Sequence, residues 1–193
     1  MHGPGLPAVA LEGDGVNVLA LDMSLTATGY AGPDGSGVLS PPVEVGKGVE
    51  RLRWIRDRVL SLADGAGIVV IEGYSFASRG RAIVSIGELG GVIRLALHEA
   101  GVPVVEVPPA CRAKYATGKG NAPKEAVLVE AVKRLSYDGH DHNEADALWL
   151  RAMAADHYRL ADRVGVPKVN RTALDRIEWP ATPVRPVEAR TTG

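Results

Sequence analysis

Two short apolar runs, each closed by an acid, constrain this chain more than any other feature. Residues 16–21, VNVLAL, end at Asp22, and residues 68–71, IVVI, end at Glu72. Runs this short, rich in branched residues and without polar alternation, read as strands buried inside a sheet. The rest of the chain is read around them. A Ser/Thr-rich stretch follows Asp22, and residues 28–31 read as a second strand hairpinned to the first. Gly32-Pro33-Asp34-Gly35 is a turn signal. Residues 37–45 read as a third, poorer strand, confined to an edge by Pro41 and Pro42.

Helical spacing begins at 49–63, where Leu52, Ile55, Val59 and Leu62 recur on one face and Asp64-Gly65 stops the run. Residues 78–100 are predicted as a second helix, ended by Gly101, and 102–107 as a strand closed by Pro108-Pro109. A short helix over 109–115, a Gly/Lys loop over 117–122, a helix over 123–135 and a loop over 136–141 lead into a last core helix over 143–160. Hairpinned strands followed by strands separated by crossover helices predict an α/β fold, a mixed five-stranded sheet flanked by helices on both faces. Residues 1–15 are expected to be a flexible N-terminal tail, 16–160 one domain, and 161–193 an extended C-terminal tail anchored at Trp179.

Composition narrows the function classes. A net charge of −1 over 193 residues excludes a uniformly basic nucleic-acid coat but leaves room for a local basic patch. The single cysteine, Cys111, excludes an internal disulfide framework and a Cys-rich zinc cluster, and fits a reducing compartment. No apolar run approaches the roughly 20 residues of a membrane span. The N-terminus has neither a basic start nor an apolar stretch of signal length, so a cytoplasmic protein without a membrane partner is expected.

Three acids carry the chemistry. Asp22 and Glu72 end strands, and Asp146 sits early in the last core helix, each at the edge of an apolar segment. A lone acid in such a place is costly unless it is paired or bound to metal. Taken singly, Asp22 also reads as a turn former and Asp146 as an acid answering a helix dipole. If the first and fourth strands are neighbours, Asp22 and Glu72 meet at one sheet edge, where ligands of open sheets sit. Clustered carboxylates need a cation, and all-oxygen ligands select a hard ion, Mg²⁺ or Mn²⁺. Two such ions suit phosphodiester chemistry.

In order along the chain, the run 18–30 (VLALDMSLTATGY), Val70-Ile71-Glu72 and Glu144-Ala145-Asp146-Ala147-Leu148 resemble the acidic motifs of the RuvC Holliday-junction resolvases, and residues 86–93 (IGELGGVI) are similar to that family's long helix. The resemblance spans roughly residues 16–158. It implies an RNase H-like fold, a homodimer, two Mg²⁺ (or Mn²⁺) ions per site, and metal-dependent endonucleolytic cutting of branched DNA such as the four-way junction. Certain motifs and the C-terminal tail look more like phage-encoded members. Lys114 and Lys124 fall where the family places two active-site lysines. The family's fourth ligand, Asp or His three residues before the last Asp, is here Asn143, and His142 is the alternative one turn from Asp146.

The remaining candidates concern DNA. From Arg112 to Arg134 six Lys/Arg face two Asp/Glu, so Arg112 and Lys119 are candidate backbone contacts, the alternative being a solvated helix face. Tyr74 and Phe76, after Glu72, are candidates for stacking on an unpaired base, and Arg79 and Arg81 for gripping phosphates. The small residues Ala82, Gly87, Gly90, Gly91 and Ala96 in the second helix point to close approach of another backbone, either a dimer mate or the sheet. The rivals are a non-catalytic branched-DNA binder, favoured by Asn143, and an actin-like or sugar-kinase-type phosphotransferase fragment, whose phosphate loop resembles 22–28 but needs two such domains. A P-loop fails because Gly118-Lys119 is followed by Gly120.

Overall fold

A computed structural model describes residues 16–73 and 81–180, without the side chains of 81–83. Five strands, β1 (Val18–Asp22), β2 (Thr28–Gly32), β3 (Gly35–Leu39), β4 (Ile68–Glu72) and β5 (Val104–Val107), form one sheet in the order β3-β2-β1-β4-β5. The β1–β2 and β2–β3 pairs are antiparallel, and β1–β4 and β4–β5 are parallel. This is the mixed sheet expected from the sequence. The helices are α1 (Val49–Leu62), α2 (Arg81–Glu99), α3 (Pro109–Thr117), α4 (Lys124–Arg134), α5 (His142–His157) and α6 (Lys168–Arg171).

Strand periodicity sorts the core into two layers. Leu19, Leu21, Val69 and Ile71 face one side, where they pack with Ile55 and Val59 of α1 and Leu89, Ile93 and Leu97 of α2. Val18, Ala20, Ile68 and Val70 face the other, packed with Cys111 and Tyr115 of α3, Val127 and Ala131 of α4, and Trp149, Leu150 and Met153 of α5. By the same alternation Asp22 and Glu72 continue the second set. Both acids therefore point to the α5 face of the sheet.

Differences from the sequence reading are local. The third strand stops at Leu39 rather than 45, and Val43–Val45 is a 3-10 turn, because Pro41 and Pro42 remove ladder donors. The last core helix starts at His142, with Asp141 as its N-cap accepting from Asn143 N at 2.8 Å and Glu144 N at 3.1 Å. That use of Asp141 makes residues 140–142 the entry to the helix. Within the stretch read as an extended tail, α6 and a 3-10 turn at Leu174–Arg176 pack against α3. Trp179 stacks on His157 with ring centroids 4.7 Å apart. Among the described residues no helix is long and apolar enough to cross a membrane.

Candidate metal centre

Parallel pairing brings the first two acids together. Leu21 is in register with Ile71, so the residues that follow, Asp22 and Glu72, leave the sheet side by side. The third acid arrives from α5, which packs across β1 and β2. A glycine permits that approach. Gly29 pairs with Asp22 in the β1–β2 ladder, and a Cβ on it would lie 2.0 Å from the carbonyl oxygen of Asn143 and 2.9 Å from Glu144 N. Any larger residue there would hold the first turn of α5 off the sheet.

The result is a cluster in which one carboxylate oxygen from each of Asp22, Glu72 and Asp146 lies within 4.8 Å of the others. Asp22 and Asp146 are buried and Glu72 is half-buried. Burial, reinforced by Glu72 and Asp146, pushes the Asp22 carboxyl well above its ordinary range, against the pull of Arg112 and Lys124. Burial likewise pushes Asp146 up to about 6, with Arg112 opposing, Glu72 adding to the rise, and Lys124 and His142 opposing. Asp146 Oδ2 is buried without a hydrogen-bond partner. A buried carboxylate oxygen with no donor, among other carboxylates, is what a hard divalent cation accepts, so the donor set fits such an ion.

The other predicted residues divide. Lys124 lies at the mouth, its Nζ 3.9 Å from Asp146 Oδ2 and its side chain exposed. Lys114 is half-buried on α3 and makes no ion pair with the acids. Asn143 turns its Nδ2 to the Ala27 carbonyl at 2.9 Å, which ties α5 to the loop after β1. His142, half-buried, is not part of the cluster, although its charge bears on Asp146. Lys119 is exposed in the loop after α3. Tyr74, Phe76 and Arg79 lie outside the described residues, as does the side chain of Arg81, whose backbone opens α2.

Arg112 is a correction. The basic stretch placed it among exposed DNA contacts, but the structure buries it between the acids, with 6% of its side chain exposed. Its Nε donates to Glu72 Oε1 at 2.5 Å and its Nη1 to Asp146 Oδ1. Burial disfavours its charge, yet Glu72, Asp146 and Asp22 outweigh that and raise its pKa further. Uncompensated carboxylates draw in the nearest cation on α3. The β4–β5 register sets Val107 opposite Glu72 and α3 begins at Pro109, so the first turns of α3 pass beside that acid.

Comparison with known proteins fits this geometry. A crossover junction endodeoxyribonuclease RuvC of Anaeromyxobacter sp. (strain Fw109-5) is 36% identical over 143 residues, covering 72% of this chain and 67% of that protein. The RuvC of Carboxydothermus hydrogenoformans is 31% identical over 100 residues, 61% of its length, and that of Sorangium cellulosum 36% identical over 93 residues, 50% of its length. No family model matches the chain. Among solved structures, Thermus thermophilus RuvC aligns with a TM-score of 0.59 at 24% identity, covering 70% of this chain and 90% of that one. T. thermophilus RuvC in complex with a Holliday junction substrate aligns at 0.60 and 23% identity over the same shares. At these identities the structural likeness speaks for the fold, and the sequence relatives speak for the family.

Proposed function

The chain belongs to the RuvC family, and from that premise we propose that it is a metal-dependent, structure-selective endodeoxyribonuclease acting on four-way junctions or other branched DNA. The observation that carries this is the meeting of Asp22, Glu72 and Asp146, up to 124 residues apart in sequence, within 4.8 Å. These acids would hold the divalent ions, Mg²⁺ with Mn²⁺ as substitute, two per site, with the side-chain oxygen of Asn143 or a nitrogen of His142 as a neutral addition. When bound, the ions supply Lewis-acid polarisation of the phosphodiester and a water of lowered pKa.

The chain's own groups do the rest. The sheet and α5 fix the acids on rigid elements, which preorganises the anionic pocket. Lys124 holds the scissile phosphate and offsets its growing charge, a role supported by its exposed side chain 3.9 Å from Asp146 Oδ2. Lys114 acts with Lys124 on the phosphate, Lys119 in the loop after α3 extends the basic rim along the DNA backbone, Arg79 and Arg81 grip neighbouring phosphates, and Tyr74 or Phe76 stacks on an unpaired base.

A homodimer through α2 is part of the reading. Val84 and Leu95 are 63% and 58% exposed, and Cβ atoms added at Gly87 or Gly91 would meet nothing within 4 Å. These positions share one helix face. Glycine inside a helix costs up to about 1 kcal/mol, a penalty with no intramolecular return where the space is open. A second copy packed there explains the glycines and doubles the active site for symmetric cutting.

The test is a panel of labelled four-way, forked, flapped and linear DNAs incubated with Mg²⁺, Mn²⁺ or EDTA. Cutting of branched substrates should require the ion, and Asp22→Asn should abolish it while junction affinity persists. Binding without cutting in either ion would make this a branched-DNA binder, and cutting by Asp22→Asn at the wild-type rate would remove the acids from the chemistry.

A further inference from the structure

Arg112 is the one group in the acid cluster for which hydrolysis of DNA provides no reason. It engages Glu72 Oε1 and Asp146 Oδ1, two of the oxygens a cation would use, and it is almost wholly buried while doing so. The remaining oxygens are treated unequally. Asp146 Oδ2 has no hydrogen-bond partner, and no hydrogen bond from Arg112 reaches Asp22. A guanidinium keeps its proton at any ordinary pH, so only movement of the side chain can free the engaged oxygens. Lys124 cannot replace it, because its ammonium sits outside, 3.9 Å from the opposite oxygen of Asp146.

We propose that Arg112 is an internal competitor for the divalent cation: it holds the acids together while no ion is bound, and it must swing away from Glu72 or Asp146 before an ion takes those oxygens. This rests on the acids being a metal site. Two effects follow with opposite signs. In the ion-free chain Glu72 and Asp146 are not left unpaired, and a buried acid such as Asp146 deprived of its partner is strongly destabilising. Metal affinity is lowered, because binding has to break charge-assisted contacts that are themselves well formed.

The experiment titrates the full-length protein, without DNA, with Mn²⁺ alone, reading free Mn²⁺ by its paramagnetic resonance signal. Wild type, Arg112→Gln, Arg112→Lys and Asp146→Asn are compared, with thermal melts in EDTA alongside. Losing one or two charge-assisted contacts corresponds to about ten- to hundredfold, so Arg112→Gln should bind Mn²⁺ more tightly by that factor and melt at a lower temperature in EDTA. Arg112→Lys keeps the charge without the fork and should gain several-fold; it carries the test if Arg112→Gln does not fold. Asp146→Asn should lose Mn²⁺ binding. Equal or weaker Mn²⁺ binding by both arginine variants overturns the competitor role and leaves the metal site standing. No Mn²⁺ binding by wild type or by either arginine variant overturns the metal site, and the inference with it.

Discussion

Asp146→Asn tests whether burial outweighs Arg112 at the heart of the cluster. Only 2% of the Asp146 side chain is exposed, and its pKa is pushed up to about 6 from an ordinary 3.8. Because the folded chain holds this proton more tightly than the unfolded chain, the group stabilises the fold below pH 4. That contribution is lost as pH rises from about 4 to 6, and the loss is complete above. Roughly two pKa units at about 1.4 kcal/mol each give a penalty of about 3 kcal/mol at pH 7.5. Asparagine never ionises, so it escapes this penalty, but its neutral oxygen accepts from Arg112 more weakly than the carboxylate does, which returns about 1 kcal/mol. In EDTA at pH 7.5 the variant should be more stable than wild type by about 2 kcal/mol, or about 4–8 °C in Tm. Urea unfolding followed by fluorescence of the buried Trp149 reads this directly. Wild type should also lose stability relative to the variant between pH 4.5 and 6.5. With Mg²⁺ the order should reverse, since only wild type keeps the full set of acids. A variant less stable than wild type in EDTA at pH 7.5 would refute the claim that the ionised cluster strains the ion-free fold.

Two further outcomes follow from packing. Gly29→Ala places a Cβ 2.0 Å from a backbone oxygen that cannot move alone, so it should destabilise the chain by about 3 kcal/mol and weaken Mn²⁺ binding together; unchanged melting and affinity would show that α5 does not need that approach. Leu95→Asp, on the exposed face of α2, should leave the monomer's far-ultraviolet spectrum intact while sedimentation equilibrium shifts from dimer to monomer, and a persistent dimer would move the interface elsewhere.

The parts of the molecule readable in advance were those where a short-range pattern sets a long-range result. The two apolar runs ending in Asp22 and Glu72 are one such case, because parallel neighbours with a period of two must deliver both acids to one face. Arg112 shows the opposite. In sequence it is one cation among six between residues 112 and 134, and only the packing of α3 beside β4 distinguishes it from Lys119. Short elements escaped for a different reason: α6, four residues long, cannot display a helical period, and its one signal is Pro167 before its first residue. The start of α5 carried a legible cue in Asp141 and Glu144, the spacing of a capping box, which the loop reading of 136–141 passed over.

The anchoring of α5 explains how three acids can be held together before any ion arrives. Repulsion among them acts on Asp146 and so pushes α5 away from the sheet. On the N-terminal side of Asp146 the helix is tied down by Asn143 to Ala27, and by Glu144 to Ser36 Oγ at 2.7 Å and Tyr137 OH at 3.1 Å. On the C-terminal side the Trp149 indole donates to Val127 O at 3.1 Å from within the core. Displacing α5 would break these contacts together and expose the apolar layer beneath, which is why the backbone holds. The strain is left to the side chains, where Arg112 is the group that can move. A cluster fixed in this way meets a cation with its backbone already set, so the affinity for metal turns on one arginine rather than on refolding of the site.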